Sequence, residues 1–383
     1  MKKFKTIMVL ILIATSFNSC NKGAISTGEE EVTVELKGKF IHFDTDIATR
    51  GTLIGGNVFT EDFAVVGYKY SPSNIWDNEK ATVAPNVFYT DDTKQTLAFP
   101  RQVRYKSEGY YEYDNLQAWT GWKYAFFAYY PYGYDNVKLF QDGNVRQGEP
   151  YITYTLPNTS DPTQLKDIMT ASATEVTVTP TVALHMRHRL SAVDIKVRNY
   201  CEYDHDSNAE TVAEPINVKI TKLVIKLKQI KTSTQIFLDH NTASTDPNNP
   251  TLDDRTFIIV DPNYSWAWDE FTINKGQDIN ITCYKDLEDG TVVSHPLSLL
   301  LIPQTANDAY LSGEVTLDYV KMKEDGKTID TVVNGAPLEF SFNKKLTEGR
   351  RYSLDIAFTA DAISLSIDPN EEWTDEDLTH DFE

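Results

Sequence analysis

A chain of 383 residues with 56 acidic and 36 basic side chains carries a formal net charge of −20. That balance excludes nucleic acid and anionic headgroups as partners, since phosphate binding takes clustered Lys and Arg. It suits a surface protein whose charge keeps it apart from its neighbours, and its three cysteines are too few for a metal framework.

In chain order, Lys2, Lys3 and Lys5 precede the apolar run Ile7–Ile13, and Ser19 stands just before Cys20. A basic start, a short apolar stretch and a small residue at the cut predict a secretory signal peptide over 1–19. The apolar run is about half of the ~20 residues that cross a bilayer. Cleavage between Ser19 and Cys20 suits signal peptidase II, which needs a small side chain and a thiol to carry lipid. Phe17 and Asn18 make the lipobox loose, and ordinary cleavage with an incidental Cys20 is the alternative. Acyl chains such as palmitate on Cys20 would hold the protein at the outer membrane, since stable anchoring takes about two chains. Losing 1–19 removes three lysines and no acid, so the mature chain is more acidic still.

Val32, Val34 and Leu36 then alternate with polar residues as a first strand, and Ile41 and Phe43 continue it in shifted phase. Arg50 and Gly51 follow in a polar, glycine-containing stretch of the exposed kind that a protease requires. Aromatic residues crowd Trp119–Tyr132; alternation across Tyr124–Tyr130 predicts one buried and one exposed face, with core and inter-sheet packing accounting for most of the rings in preference to a glycan site. Leu165–Ala173 reads as a short helix. Val182, Leu184, Met186, His188 and Leu190 alternate in one phase and Val193, Ile195 and Val197 in the other, which predicts a bulge near Leu190–Ala192. Further period-two runs occupy Val218–Ile220, Leu223–Leu227, Phe257–Val260, Val315–Tyr319, Phe340–Phe342, Leu354–Phe358 and Ile363–Ile367. Asp289-Gly290, Asp325-Gly326 and Asn334-Gly335 are hairpin signals, and Glu348-Gly349 marks another turn. Cys201 and Cys283 fit a disulfide or two buried thiols equally well.

No catalytic constellation emerges, so no enzyme, no cofactor and no metal is expected. His185 and His188 are three apart, which on a strand points them to opposite faces and forbids a shared metal; His188 reads as a hydrogen-bonded core residue. The glycines of 51–56 lack the lysine of a phosphate loop, and neither a Gly-x-Ser-x-Gly elbow nor a His-Glu-x-x-His pair is present. Paired carboxylates carry no information in so acidic a chain. Trp266 and Trp268 share one strand face beside a loop and are the candidate glycan platform.

The length predicts two β-domains rather than one sandwich of about 100 residues. The segments are a signal peptide 1–19, a lipidated segment with a removable first strand 20–50, and sandwiches over 51–181 and 182–383.

The run Lys123-Tyr-Ala-Phe-Phe-Ala-Tyr-Tyr-Pro-Tyr132 resembles the signature strand of the fimbrillin family of Bacteroidetes, the subunits of type V pili. His188-Arg189-Leu190, Leu297–Gln304, Gly349-Arg-Arg-Tyr-Ser-Leu-Asp-Ile356 and the late Trp373 are similar to further pieces of the family, in its order. The resemblance implies a lipoprotein precursor with two tandem transthyretin-like antiparallel β-sandwich domains. It also implies that an arginine-specific protease cuts between Arg50 and Gly51, removing the strand that holds Val32, Val34, Leu36, Ile41 and Phe43. Other pilus subunits then become the partners, by donor-strand exchange into the open edge, and the product is a cell-surface fimbrium able to adhere to a host or bacterial ligand. The stretch after Trp373 has only Leu378 and Phe382 as apolar residues and is a poor donor strand, which favours a tip or accessory subunit over a stalk. The alternative is a surface-anchored glycan-binding lipoprotein that does not polymerise.

Overall fold

The computed structural model describes residues 40–47, 59–87, 100–107, 110–114, 116–140, 147–199, 217–240, 251–286, 292–304, 310–323, 325–342, 345–358 and 363–372. Among them nearly all regular structure is strand, as the alternating sequence requires. The first half holds β1 (Phe43–Ile47), β2 (Phe63–Tyr70), β3 (Arg101–Ser107), β4 (Tyr110–Glu112), β5 (Lys123–Tyr130), β6 (Val137–Leu139), β7 (Tyr151–Thr155), β8 (Met169–Val176) and β9 (Val182–His188). The second holds β10 (Ser191–Asn199), β11 (Val218–Lys231), β12 (Ser233–Phe237), β13 (Leu252–Val260), β14 (Phe271–Ile273), β15 (Gln277–Asn280), β16 (Thr282–Asp286) and β17 (Val292–Pro296). It ends with β18 (Ser298–Leu301), β19 (Ser312–Met322), β20 (Ile329–Asn334), β21 (Leu338–Ser341), β22 (Arg350–Phe358) and β23 (Ile363–Glu372).

A seven-stranded sheet runs β1-β9-β8-β5-β2-β3-β4. It curls until its two ends, β1 and β4, touch. Inside the curl lies an apolar core that includes Ile41, Phe43, Phe63, Tyr113, Phe126 and Leu184. The other face of β5 and β2 packs under the small β12-β7-β6 sheet in a second core, which continues into the later sheets. Residues 124–129 are therefore buried on both faces, and the expectation of one exposed face on the aromatic run is corrected. A central strand covered by two layers buries every side chain whatever its phase.

The second half contains a sheet built on β15-β10-β22-β23 and a larger one built on β13-β11-β19-β20. Most pairings are antiparallel; β1 with β9 and β10 with β22 are parallel. Exposed faces of β11 and its neighbours carry cross-strand ion pairs, such as Lys228–Glu314 at 2.6 Å and Lys219–Glu270 at 2.6 Å. β12 crosses back to pair with β7, aligning Thr234 with Tyr154. The Trp76 indole N–H adds a 3.2 Å bond to Asp239 across the same junction.

Three local expectations are corrected. The phase change at Leu190 is a change of sheet rather than a bulge: β9 ends at His188 and β10 opens a different sheet at Ser191. Leu165–Ala173 is not a helix; a 3-10 turn over Pro162–Gln164 leads into β8, where pairing with β5 outweighs local helix propensity. Asn334-Gly335 is not a hairpin either, because β20 and β21 both pair with β19 along one edge. A Cβ at Gly335 would come within 2.1 Å of the Leu317 carbonyl oxygen, so glycine lets the edge bulge inward there. The Asp325-Gly326 turn does close a hairpin, with the Asp325 carboxylate accepting from the Lys327 and Thr328 N–H groups at 2.9 and 2.7 Å.

Candidate functional site: the closing strand of the first sheet

Alternation places Ile41, Phe43 and Thr45 inward and Asp44 outward. Ile41 and Phe43 are 0% and 2% exposed, in the core of the curled sheet. The Phe43 ring meets Phe126 edge-on at 5.5 Å and Tyr113 at 6.0 Å, an arrangement favoured by aromatic quadrupoles. Burying two such side chains contributes about 2 kcal/mol each.

Both edges of the segment are engaged. On one side β1 pairs with β9 from Phe43–Val182 to Ile47–Met186, preceded by a 2.8 Å bond from the Val182 N–H to the His42 carbonyl. On the other, the Ile41 N–H donates to the Gln117 carbonyl at 2.9 Å, and the Tyr113 hydroxyl donates to the Ile41 carbonyl at 2.7 Å. Burial pushes the Tyr113 hydroxyl up to about 12, against the lowering effects of the Gln117 N–H and Arg101, so it stays a donor at ordinary pH. The Thr45 hydroxyl donates to Tyr111, and Tyr111 in turn donates to the Phe59 carbonyl. Tyrosine hydroxyls thus bridge the seam at Tyr111, between β4 and β1, and at Tyr113, just past β4 and opposite the lead-in to β1.

Arg50 and Gly51 lie in the connection 48–58, outside the described residues. Its flanks are described: β1 before it and Phe59 after it are both anchored in the same core. Ser19, Cys20, Val32, Val34, Leu36 and Cys201 also lie outside the described residues, as does the side chain of Cys283.

Trp266 and Trp268 do not form one platform. Trp266 is 38% exposed, with its ring 4.8 Å from that of exposed Tyr264, whereas Trp268 turns inward against Phe271 at 6.0 Å. The expected strand is instead a loop folded by the Asp261 carboxylate, which accepts from the Asn263 N–H at 2.9 Å and its amide at 2.7 Å. Tyr264 was missed, and the Asp-Pro-Asn turn signal before it was the available clue.

His188 is buried on the Asp167 carboxylate and His185 points to the opposite face. Arg189 pairs with Glu348 at 2.8 Å, the Leu190 carbonyl accepts from the Gly349 N–H at 3.0 Å, and the Gln304 N–H reaches the Leu346 carbonyl at 2.9 Å. Three of the motifs that suggested a family therefore meet where the chain passes between sheets. There they tie the end of the first sheet to the sheet that follows. Among the described residues no group of three or more His, Cys, Asp or Glu side chains could hold a metal ion, and no helix is long and apolar enough to cross a membrane.

No curated protein sequence matches the chain. A fimbrial protein from Bacteroides vulgatus shares its fold at a TM-score of 0.52 and 20% identity, covering 88% of this chain and 100% of the other. A candidate cell adhesion protein from Bacteroides uniformis aligns at a TM-score of 0.45 and 15% identity over 88% and 100% of the two chains. A fimbrial assembly protein from Parabacteroides distasonis aligns at 0.35 and 10% over 85% and 94%. The family model described as fimbrillin-like matches residues 69–370, so the chain belongs to the fimbrillin-like family.

Proposed function

We propose that the protein is a structural and adhesive subunit of a type V pilus, made as a lipoprotein precursor and assembled by strand replacement. Cys20 carries the lipid at the outer membrane, and an arginine-specific protease cuts between Arg50 and Gly51. The observation that carries this reading is the seat of residues 40–47: a core-filling strand at the closing edge of its sheet, directly before the connection that contains Arg50. Cutting that connection leaves β1 held without a covalent bond to anything downstream. Once it departs, the edge of β9 and the pocket beneath Phe126 need a substitute, and a strand from another subunit supplies both backbone bonds and side chains. A head-to-tail contact of this kind does not close on itself and extends a filament.

The chain's own late strand argues for a tip or accessory position. Ile363–Glu372 is paired with β22 along its length and completes its own sheet. We place the division between the two sandwich units at Arg189–Leu190 rather than at 181/182, because β9 pairs with β1 and β8.

The test is to treat the purified precursor with an arginine-specific protease, sequence the new N-terminus and follow assembly by size exclusion with other subunits present. A chain beginning at Gly51 that joins higher assemblies is expected. A cleanly cut protein that stays monomeric with every subunit offered sinks the proposal.

A further inference from the structure

Three inward positions of the closing segment meet chemically different surroundings. Ile41 lies wholly in apolar core, Phe43 lies against the Phe126 and Tyr113 rings, and Thr45 meets a hydroxyl. Tyr111, which receives the Thr45 proton, is itself wedged between Phe63 at 5.5 Å and Tyr105 at 5.5 Å, so its hydroxyl cannot swing aside. An aliphatic side chain at the Thr45 position would set a methyl group against that buried oxygen and remove the hydroxyl that donates to it. Asp44 points outward and reads nothing.

We infer that the place held by β1 selects a strand of the pattern aliphatic–x–aromatic–x–hydroxyl, running parallel to β9, and so draws its replacement from a different chain rather than from a second copy of this one. The inference rests on the reading that β1 leaves. Two late alternating segments are what a second copy would offer. Ile363, Leu365 and Ile367 put an aliphatic residue where the ring belongs and another where the hydroxyl belongs. Leu378, His380 and Phe382 put a phenyl ring against Tyr111. Neither carries the pattern, and the first is already committed to β22.

The test is a competition assay on the full chain after cutting at Arg50, using a fluorescent peptide of residues 40–47. The unlabelled parent peptide competes. Versions carrying Thr45→Val or Phe43→Leu are expected to compete about tenfold less well, and one carrying Asp44→Ala within about twofold of the parent. Peptides of residues 363–372 and 374–383 are expected to be about a hundredfold weaker, through two mismatched positions. In a Tyr111→Phe protein the advantage of Thr45 over Val disappears. Equal competition by the Thr45→Val peptide on the unaltered protein overturns the selectivity, and strong competition by residues 363–372 overturns the choice of a different chain. If the cut protein loses its fragment yet binds no parent peptide, the removable-strand reading itself falls, and the inference with it.

Discussion

The hydroxyl of Tyr113 donates to the backbone carbonyl of Ile41 at 2.7 Å, joining the residue just past the last strand of the curled sheet to the segment that leads into its first. A side chain thereby does the work of a missing ladder partner. It also makes cutting and release separate events, because a nick at Arg50 leaves this bond, the β9 ladder and the Phe43 packing in place.

The fragment ending at Arg50 is accordingly expected to co-elute with the rest of the chain after proteolysis. Tyr113→Phe removes one neutral hydrogen bond, worth about 1 kcal/mol, and speeds loss of the fragment about fivefold. Size exclusion followed by mass measurement of the peak checks both; immediate separation of the fragment from the unaltered protein would show β1 to be weakly held.

Trp76 is buried against Tyr68 at 4.9 Å and Phe127 at 5.1 Å, with its indole bonded to Asp239. Trp76→Ala removes a large core side chain and is expected to cost about 3–5 kcal/mol. Asp239→Ala leaves the indole donor without this acceptor and costs about 1–3 kcal/mol. Denaturant unfolding of the two variants should rank them in that order.

Gly313 on β19 has the Lys226 carbonyl oxygen 2.2 Å and the Phe340 ring 2.8 Å from where a Cβ would stand. Neither a paired backbone nor a buried ring yields cheaply, so Gly313→Ala is expected to destabilise by about 1–3 kcal/mol. Gly121→Ala, with no heavy atom of the described residues beyond its chain neighbours within 4 Å of its Cβ position, is the control and should differ little from the parent.

His240 sits at the junction of the halves on Thr170, and burial, with repulsion from Arg189 and Arg187, lowers its pKa to about 4. The folded state therefore binds this proton less readily than the unfolded chain, whose histidine titrates near ~6.5. Its contribution is fully present above that value and is lost as pH falls toward about 4, by up to about 3 kcal/mol. Between those limits His240→Gln should lose less stability than the parent on acidification; parallel pH–stability curves would contradict the assignment.

Tyr264 and Trp266 form an exposed aromatic pair on a loop bearing Asp269 and Glu270, so any saccharide stacked there would be neutral rather than sialylated or sulfated. Glycan-array binding lost on Trp266→Ala but kept on Trp268→Phe is the expected outcome if the loop is adhesive. Binding that depends equally on both tryptophans would count against the Tyr264–Trp266 pair.

Much of the fold could be read from residues alone. Val218–Ile220 and Leu223–Leu227 alternate because they lie on a sheet with one charged and one apolar face, and they emerge as one long strand. The Lys123–Tyr130 run was recognisable as a strand with mostly packed rings, but the covering of both its faces was not, since that depends on where β7 and β12 come to lie. The Leu190 phase change was visible, yet a bulge and a change of sheet leave the same trace in an alternating pattern. At the candidate site, Ile41 and Phe43 were legible as inward-facing residues. Thr45 and the tyrosine hydroxyls that meet it were not, because a polar residue on an inward position looks like an error until its partner is known.

Period-two patterning, turn residues and five family-like pieces in order were enough to determine an all-β chain of the fimbrillin-like family, because those properties are local or ordered along the chain. Only the tertiary structure decided that residues 40–47 close the first sheet, that they run parallel to β9, and that Tyr111 and Tyr113 take the place of a neighbouring strand. Closure brings the two ends of a seven-stranded sheet together, and no alternation within either end specifies which edge it will meet.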